Sequence, residues 1–188
     1  MLGGCAALQP APAQRVFVLE YPPPPVAARR IDAVLRVVPF GSDAVYDRQG
    51  FVYREGPYEI AIDSYNLWVA APASLITDLV ARDLAAAGRF TAVLSAPSAL
   101  AAQYELSAQV EVFEERAEDS CSARAGLRAL LIQSPARAAR RVVFEETFTA
   151  AEPCDGSGAD AFAAAMSRAV QRVSMALEER IGAVAGGE

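Results

Sequence analysis

The chain has 188 residues, of which 53% are hydrophobic, so it is long enough for one ordinary domain and too apolar to be wholly disordered. Its formal net charge of −6 disfavours electrostatic binding to nucleic acid or to an anionic bilayer surface. All 17 basic residues are arginine and there is no histidine, which excludes catalysis and metal binding through lysine or histidine. We therefore expect a protein that is not an enzyme, with no catalytic residue, cofactor or metal site.

The first motif is Leu2-Gly3-Gly4-Cys5, which looks like the end of a bacterial lipoprotein signal peptide. A lipoprotein signal peptidase cuts between small residues and a cysteine, and that cysteine then carries the lipid. The alternative is a chance tetrapeptide, because the charged and apolar regions of a full signal do not accompany it; we expect them to precede residue 1. The motif predicts lipidation at Cys5 and an exported domain.

The next segment combines a tether, a short strand and a spacer. Residues 1–14 end in small and proline residues without any pattern, typical of a flexible tether. Arg15–Tyr21 alternates as a strand, with Phe17, Leu19 and Tyr21 on one face. Pro22–Pro25 ends it as a polyproline spacer; the other interpretation, a ligand for an SH3-type domain, does not suit an exported bacterial protein.

The middle of the chain predicts strands on either side of one helix. The helix begins at Pro72, carries apolar residues at helical spacing and stops at Gly88. The predicted strands are Ile31–Phe40, a hairpin of 51–54 and 58–62 around Glu55-Gly56-Pro57, and Phe90–Leu94.

The second half predicts a meander followed by a long helix. Tyr104 to Val112 alternates strictly, and Arg124–Gln133 with Arg141–Thr149 forms a hairpin around Ser134-Pro135-Ala136. An apolar stripe from Ser157 to Ile181 predicts a helix that Gly182 ends. The stripe packs onto the sheet as part of the core or, alternatively, lines a ligand groove. We expect one domain over 15–184 and a disordered tail at 185–188. Its class is α+β, with two main helices packed on one face of a mostly antiparallel sheet.

Three cysteines remain to be assigned: Cys5, Cys121 and Cys154. If Cys5 carries lipid, the other two form a pair. The predicted hairpin register sets Cys121 opposite a position between 150 and 154, so we predict a disulfide from Cys121 to Cys154. The alternative is two free, buried cysteines.

The acidic clusters give weak signals for chemistry. Glu114-Glu115 with Glu118-Asp119 lacks the ligand spacing of a calcium loop, so a solvated turn is favoured over a cation site. Glu145-Glu146 is expected to pair with Arg128 across the hairpin. The stretch 155–158 is a loop before the last helix, since no lysine follows that would make it a phosphate site.

One block of the sequence carries a family resemblance. Val45-Tyr46-Asp47-Arg48-Gln49-Gly50-Phe51-Val52-Tyr53-Arg54 leads to Tyr65-Asn66-Leu67-Trp68, then to Pro72 and to Gly88-Arg89-Phe90-Thr91-Ala92-Val93. In this order, and with the cysteine motif before it, the block resembles the ABC-type transport auxiliary lipoproteins, the lipoprotein partners of MCE-type (Mla- and Pqi-like) lipid transport systems. The Cys121/Cys154 pair is not a hallmark of that family.

The resemblance implies a non-catalytic periplasmic adaptor, held by lipid at Cys5, that helps to move phospholipids or other hydrophobic molecules between membranes. Its implied partners are an MCE-domain protein, an ABC permease–ATPase complex and a second copy of itself. Ala6 stands where an inner-membrane retention signal often has Asp, which favours the outer membrane. Arg54, expected to pair with Asp63 or Glu59, and Trp68 are either structural residues or partner contacts. The alternative function is a carrier that binds lipid between helices and sheet.

Overall fold

The computed structural model describes residues 13–95, 98, 100–116, 120–134 and 139–185. Within these residues the helices are α1 (Pro72–Ala87) and α2 (Ala159–Ala185). The strands, in chain order, are β1 (Arg15–Phe17), β2 (Ile31–Val37), β3 (Gly41–Ser42), β4 (Gly50–Arg54), β5 (Ile60–Trp68), β6 (Phe90–Ser95), β7 (Tyr104–Arg116), β8 (Ser122–Gln133) and β9 (Arg141–Pro153). The predicted α+β class is confirmed. In the described part of the chain, neither helix is long and apolar enough to cross a membrane.

The antiparallel meander β7–β8–β9 forms the frame of the sheet. β7 and β8 pair from Tyr104↔Gln133 to Arg116↔Ser122, and β9 pairs along the whole of β8. The other edge of β7 receives β2, β3 and β4 in succession, each parallel to it. β6 extends the sheet beyond β2, while β5 and then β1 extend it beyond β4. The sheet is mostly antiparallel because its longest strands are paired in this way.

A bulge in β7 changes which of its side chains face the core. The register shifts between Val110 and Val112, so Val112 leaves the inner face on which the alternation placed it. Phe113 is buried instead. Gly126 on β8 gives Val112 its space, because a Cβ at that glycine would lie 3.1 Å from Cβ of Val112.

Helix α1 has the predicted bounds. Pro72 occupies its first turn, and Gly88 ends it in the left-handed conformation with φ of 63°. Its buried face, which includes Ile76, Val80 and Leu84, packs into the core beneath the sheet.

Helix α2 extends beyond its predicted end. Gly182 lies inside the helix, which continues to Ala185, the first residue of the predicted tail; residues 186–188 lie outside the described part of the chain. A Cβ at Gly182 would meet the guanidinium of Arg89, so this side chain packs against the glycine, and the helix does not stop there.

The N-terminal segment crosses the outer side of the helix layer. β1 is only three residues long, but Leu19 and Tyr21 after it are buried. Nε2 of Gln171 donates to the carbonyl of Pro22, and the amide of Ala27 donates to the carbonyl of Ala87 at 2.8 Å. The polyproline stretch is therefore fastened across both helices at the N-terminal side of β2.

Candidate functional site

An open groove of about 740 Å³ lies on the outer side of α2. One wall is Pro24–Ala27, the other is Thr149–Ala151 of β9, and the floor includes Met175 and Ala176. We call it the α2–β9 groove. By contrast, the space between helices and sheet is filled by fully buried side chains, including Phe51, Phe162, Met166 and Leu177.

Ion pairs hold the charged residues at the rim of the groove. Arg172 and Arg168 both contact the carboxylate of Glu152, which is 8% exposed. Glu178 binds Nε of Arg89 at 2.6 Å. Glu179 is a third charged residue of the lining, while the floor with Met175 and Ala176 is apolar, which suits an apolar ligand or side chain.

A buried carboxylate fixes the proline wall. Oδ2 of Asp83 accepts hydrogen bonds from Tyr21 at 2.9 Å and from Ser174 at 2.7 Å, while Oδ1 accepts from Arg82 at 2.7 Å. Burial, and then the charge of Asp83, raises the pKa of Tyr21 well above its ordinary value. This cluster joins the N-terminal segment to α1 and α2.

The position of a second buried carboxylate, that of Glu114, differs from two expectations. Glu114 lies within β7 and is buried, so the predicted solvated turn at this position is wrong; Glu118 and Asp119 lie outside the described residues. Arg54 binds Oε2 of Glu114, with Nη2 at 2.9 Å, and does not pair with Asp63 or Glu59 as expected. The reason is register: Arg54 pairs with Arg116, two residues from Glu114.

Tyr46 completes this cluster by donating to Oε2 of Glu114 at 2.7 Å. Burial, then the hydrogen bond to Glu114, raises the pKa of Tyr46 to about 12. The hydrogen bond to Glu114 is also the main reason why the pKa of Arg54 is raised. The cluster joins the segment before β4 to the face of the sheet that is turned away from the helices, so its role is structural.

Asp63, the other expected partner of Arg54, accepts hydrogen bonds from residues of β5 and from one residue of β4. Burial alone would raise its pKa, but hydrogen bonds from Asn66 and from the amide of Tyr65 outweigh burial and lower it. Tyr53 also donates to this carboxylate, at 2.9 Å.

Trp68 lies at the end of β5 and is 1% exposed. Its ring lies 4.4 Å from that of Phe51 and 5.2 Å from that of Phe113, measured between centroids. Trp68 is therefore a core residue in this structure and has no surface with which to contact a partner.

The structure brings Cys121 and Cys154 together with Cα atoms 5.3 Å apart, a distance that suits the predicted disulfide. The pair joins the start of β8 to the loop before α2, and the amide of Cys154 donates to the carbonyl of Cys121 at 3.0 Å. Cys5, with the rest of the lipidation motif, lies outside the described residues.

Three further ion pairs involve acidic residues that the sequence analysis discussed. Arg128 binds Glu145 at 2.9 Å as predicted, but Glu146 points to the other face of β9 and binds Arg180 of α2. Asp155 in the loop before α2 contacts Arg168 at 3.1 Å. Among the residues that the structure describes, no group of three or more acidic, histidine or cysteine side chains is placed to hold a metal ion.

Sequence patterns missed the α2–β9 groove and Asp83. The groove depends on how far the proline segment lies from β9, and polyproline carries no periodicity that would place it. Asp83 is one acidic residue in a helix, and its only sequence signal is its position beside the apolar Leu84.

Solved structures share this fold. Protein XCC0632 from Xanthomonas campestris, of family DUF330, is 24% identical, with a TM-score of 0.81 over 92% of this chain and 97% of that one. The hypothetical protein CT253 from Chlamydia trachomatis is 12% identical, with a TM-score of 0.58 over 82% of this chain and 98% of that one. At these identities the likeness is one of fold alone. A comparison with curated proteins finds no match.

A match to a family model identifies the protein family. The model described as ABC-type transport auxiliary lipoprotein component matches residues 17–177, from β1 to the last turns of α2. This range takes in β2 to β9, α1, most of α2 and the cysteine pair, so the match concerns nearly the whole folded domain. The chain belongs to the family of ABC-type transport auxiliary lipoprotein components.

Proposed function

We propose that the chain is a non-catalytic, lipid-anchored adaptor of an MCE-type ABC transport system that moves phospholipids or other hydrophobic molecules between membranes. The observation that carries the proposal is the family match over residues 17–177, since that family assists ABC-type transport and consists of envelope lipoproteins. Cys5 would be the lipid attachment point, and Ala6 favours the outer membrane.

The structure supports an adaptor more than a catalyst. The buried carboxylates of the described residues are engaged by tyrosine or arginine side chains of other chain segments; they are Asp83, Glu114 and Glu152. The first described strand, β1, lies at one edge of the sheet, and the α2–β9 groove lies beside β9 at the opposite edge.

The test is purification from native membranes of the tagged full chain, after mild cross-linking, with identification of the bound proteins. We expect an MCE-domain protein together with an ABC permease or ATPase. A Cys5→Ser variant, which keeps the folded domain, should lose these partners because it leaves the membrane. Recovery of the membrane-bound chain without any component of an ABC transport system would overturn the proposal.

A second candidate, a carrier of lipid, is favoured by the apolar α2–β9 groove. Its volume of about 740 Å³ falls in the usual range for small-molecule sites. The carrier site would then lie outside the helix layer, because the space between helices and sheet is filled. Native mass spectrometry of the purified domain should find phospholipid bound to the parent protein and much less on Met175→Glu. A domain free of lipid in both cases would reject the carrier.

A further inference from the structure

An exposed apolar face lies on β1 and β5, on the side of the sheet turned away from the helices. Phe17 and Trp68, which pair in the register, point towards the core, so their neighbours along each strand point the other way. We call this surface the β1–β5 apolar face; its residues are Val16 and Leu67 on the two strands and Val18 and Val69, which follow them directly. The three valines are 48–61% exposed, and Leu67 is half-buried.

These side chains form one continuous patch. Val16 pairs directly with Leu67, and the amide of Val69 donates to the carbonyl of Phe17 at 2.8 Å, which sets Val69 beside Val18. A single exposed valine on a sheet is ordinary, but four adjoining apolar side chains on two neighbouring segments are typical of an interaction surface.

The same face lies where the tether enters the domain. β1 is the first element among the described residues, and Arg15, where it begins, lies ten positions after Cys5. Such a segment reaches at most about 35 Å when fully extended, and about 17 Å on average when flexible. A lipid at Cys5 therefore keeps the face close to the bilayer, at an effective concentration of about millimolar, so even a weak apolar contact is populated.

The chemistry of the face fits the interfacial region of a bilayer. It offers valine and leucine side chains, which can be buried at the boundary between acyl chains and headgroups. The charged neighbour Arg15 points to the helix side, where it binds Asp160 at 2.8 Å. Since the chain carries a net charge of −6, contact with uncharged or zwitterionic lipid is favoured over contact with an anionic surface.

We propose that the β1–β5 apolar face lies on the surface of the bilayer in which Cys5 is anchored, and so sets the orientation of the domain. The inference rests on the proposed lipidation of Cys5 and adds to it a second membrane contact. With β1 against the membrane, β9 and the α2–β9 groove at the opposite edge of the sheet remain open to the aqueous side.

The test places a tryptophan on the face and measures its depth. The lipidated full chain carrying Val18→Trp is reconstituted into phosphatidylcholine vesicles with brominated or ordinary acyl chains. The matched control is Val142→Trp, on the edge strand β9, because Val142 is 62% exposed and Val18 is 55% exposed. The parent protein gives the background of Trp68, and Val16→Trp repeats the measurement on the same face.

We expect bromine to quench the Val18→Trp and Val16→Trp signals at least about twofold, and the Val142→Trp signal hardly at all. Equal quenching of all variants, or of none, overturns the inference. A third outcome also overturns it: the tryptophan of Val18→Trp is shielded from water, as its emission shows, but bromine does not quench it. This outcome would indicate a second copy or a partner protein on the face.

Mass spectrometry of the same sample separates the inference from the proposed function. Acylated Cys5 without quenching at residue 18 rejects the membrane contact and leaves the lipid-anchored adaptor intact. An unmodified Cys5 rejects the anchor, and with it the membrane contact.

Discussion

Tyr21 donates a hydrogen bond of 2.9 Å to Oδ2 of Asp83, although 62 residues separate them. Ser174 donates to the same oxygen, so the N-terminal segment, α1 and α2 meet on one buried carboxylate. The arrangement holds the proline stretch across the helix layer, and the proline stretch is one wall of the α2–β9 groove. Asp83 therefore controls both the stability of the domain and the shape of its groove.

Asp83→Ala should destabilise the domain by about 2–4 kcal/mol, because it leaves two buried hydroxyl groups without their acceptor. Urea unfolding followed by circular dichroism measures the change. Asp78→Ala, at an exposed position of the same helix, is the control and should stay within about 0.5 kcal/mol of the parent. Equal stability of the two variants would show that the cluster contributes nothing.

Gly182→Ala should lower stability by about 1 kcal/mol, although alanine is the better helix former. The new Cβ would displace the guanidinium of Arg89 from Glu178, a pair in which both side chains are 15% exposed. In an Arg89→Ala background the sign should reverse, with Gly182→Ala stabilising by about 0.5–1 kcal/mol. The same sign in both backgrounds would contradict the packing role of this glycine.

The disulfide between Cys121 and Cys154 stays a prediction for the protein purified from an oxidising compartment. It closes a loop with a sequence separation of 33, so the double variant Cys121→Ser/Cys154→Ser should lose about 3–4 kcal/mol. After thiol blocking, reduction should change the mobility of the parent on a gel. Identical mobility before and after reduction would mean that the cysteines are free.

Three buried or half-buried tyrosines, Tyr21, Tyr46 and Tyr53, should ionise late in the folded protein. Burial raises the pKa of Tyr21, of Tyr53 and of Tyr46, the last to about 12. A raised folded pKa gives a stabilisation that is complete below the unfolded value near 10 and is lost as pH rises through the folded value. Tyrosinate absorbance should therefore show a delayed step, and the unfolding temperature should fall above about pH 10.

The assignment of this delayed step can be checked by substitution. Tyr46→Phe should remove one tyrosine from it, since the phenolic hydroxyl that donates to Glu114 is gone. In denaturant all tyrosines should titrate together near their ordinary pKa. A folded protein whose tyrosines titrate in the same way would contradict the buried hydrogen bonds.

The sequence predicted the helices and strands that have a regular spacing of apolar residues or clear residues at their ends. The bounds of α1 follow from Pro72 and Gly88, and the β8–β9 register follows from the hairpin, which placed Cys121 opposite Cys154. The sequence could not predict features that depend on contacts between distant segments. Alternation continued past Val110 without revealing the bulge, so Glu114 was assigned to a solvated turn.

Gly182 shows the same limit at the level of one residue. A glycine after an apolar stripe is a common helix end, but here the helix continues past it, and Arg89, between α1 and β6, packs against it. The proline segment, the groove and the β1–β5 apolar face were likewise not predictable, since each depends on how separate segments pack.

Acylation of Cys5 is the central claim, because the adaptor role and the membrane contact both depend on it. The chain should be expressed behind a complete lipoprotein signal peptide in a host that processes lipoproteins, extracted from membranes and analysed by intact-mass spectrometry. We predict a mature chain that begins at Cys5 and carries acyl chains, with Cys5→Ser appearing unacylated in the soluble fraction. A parent chain without acyl groups, in the same fraction as Cys5→Ser, would contradict the account.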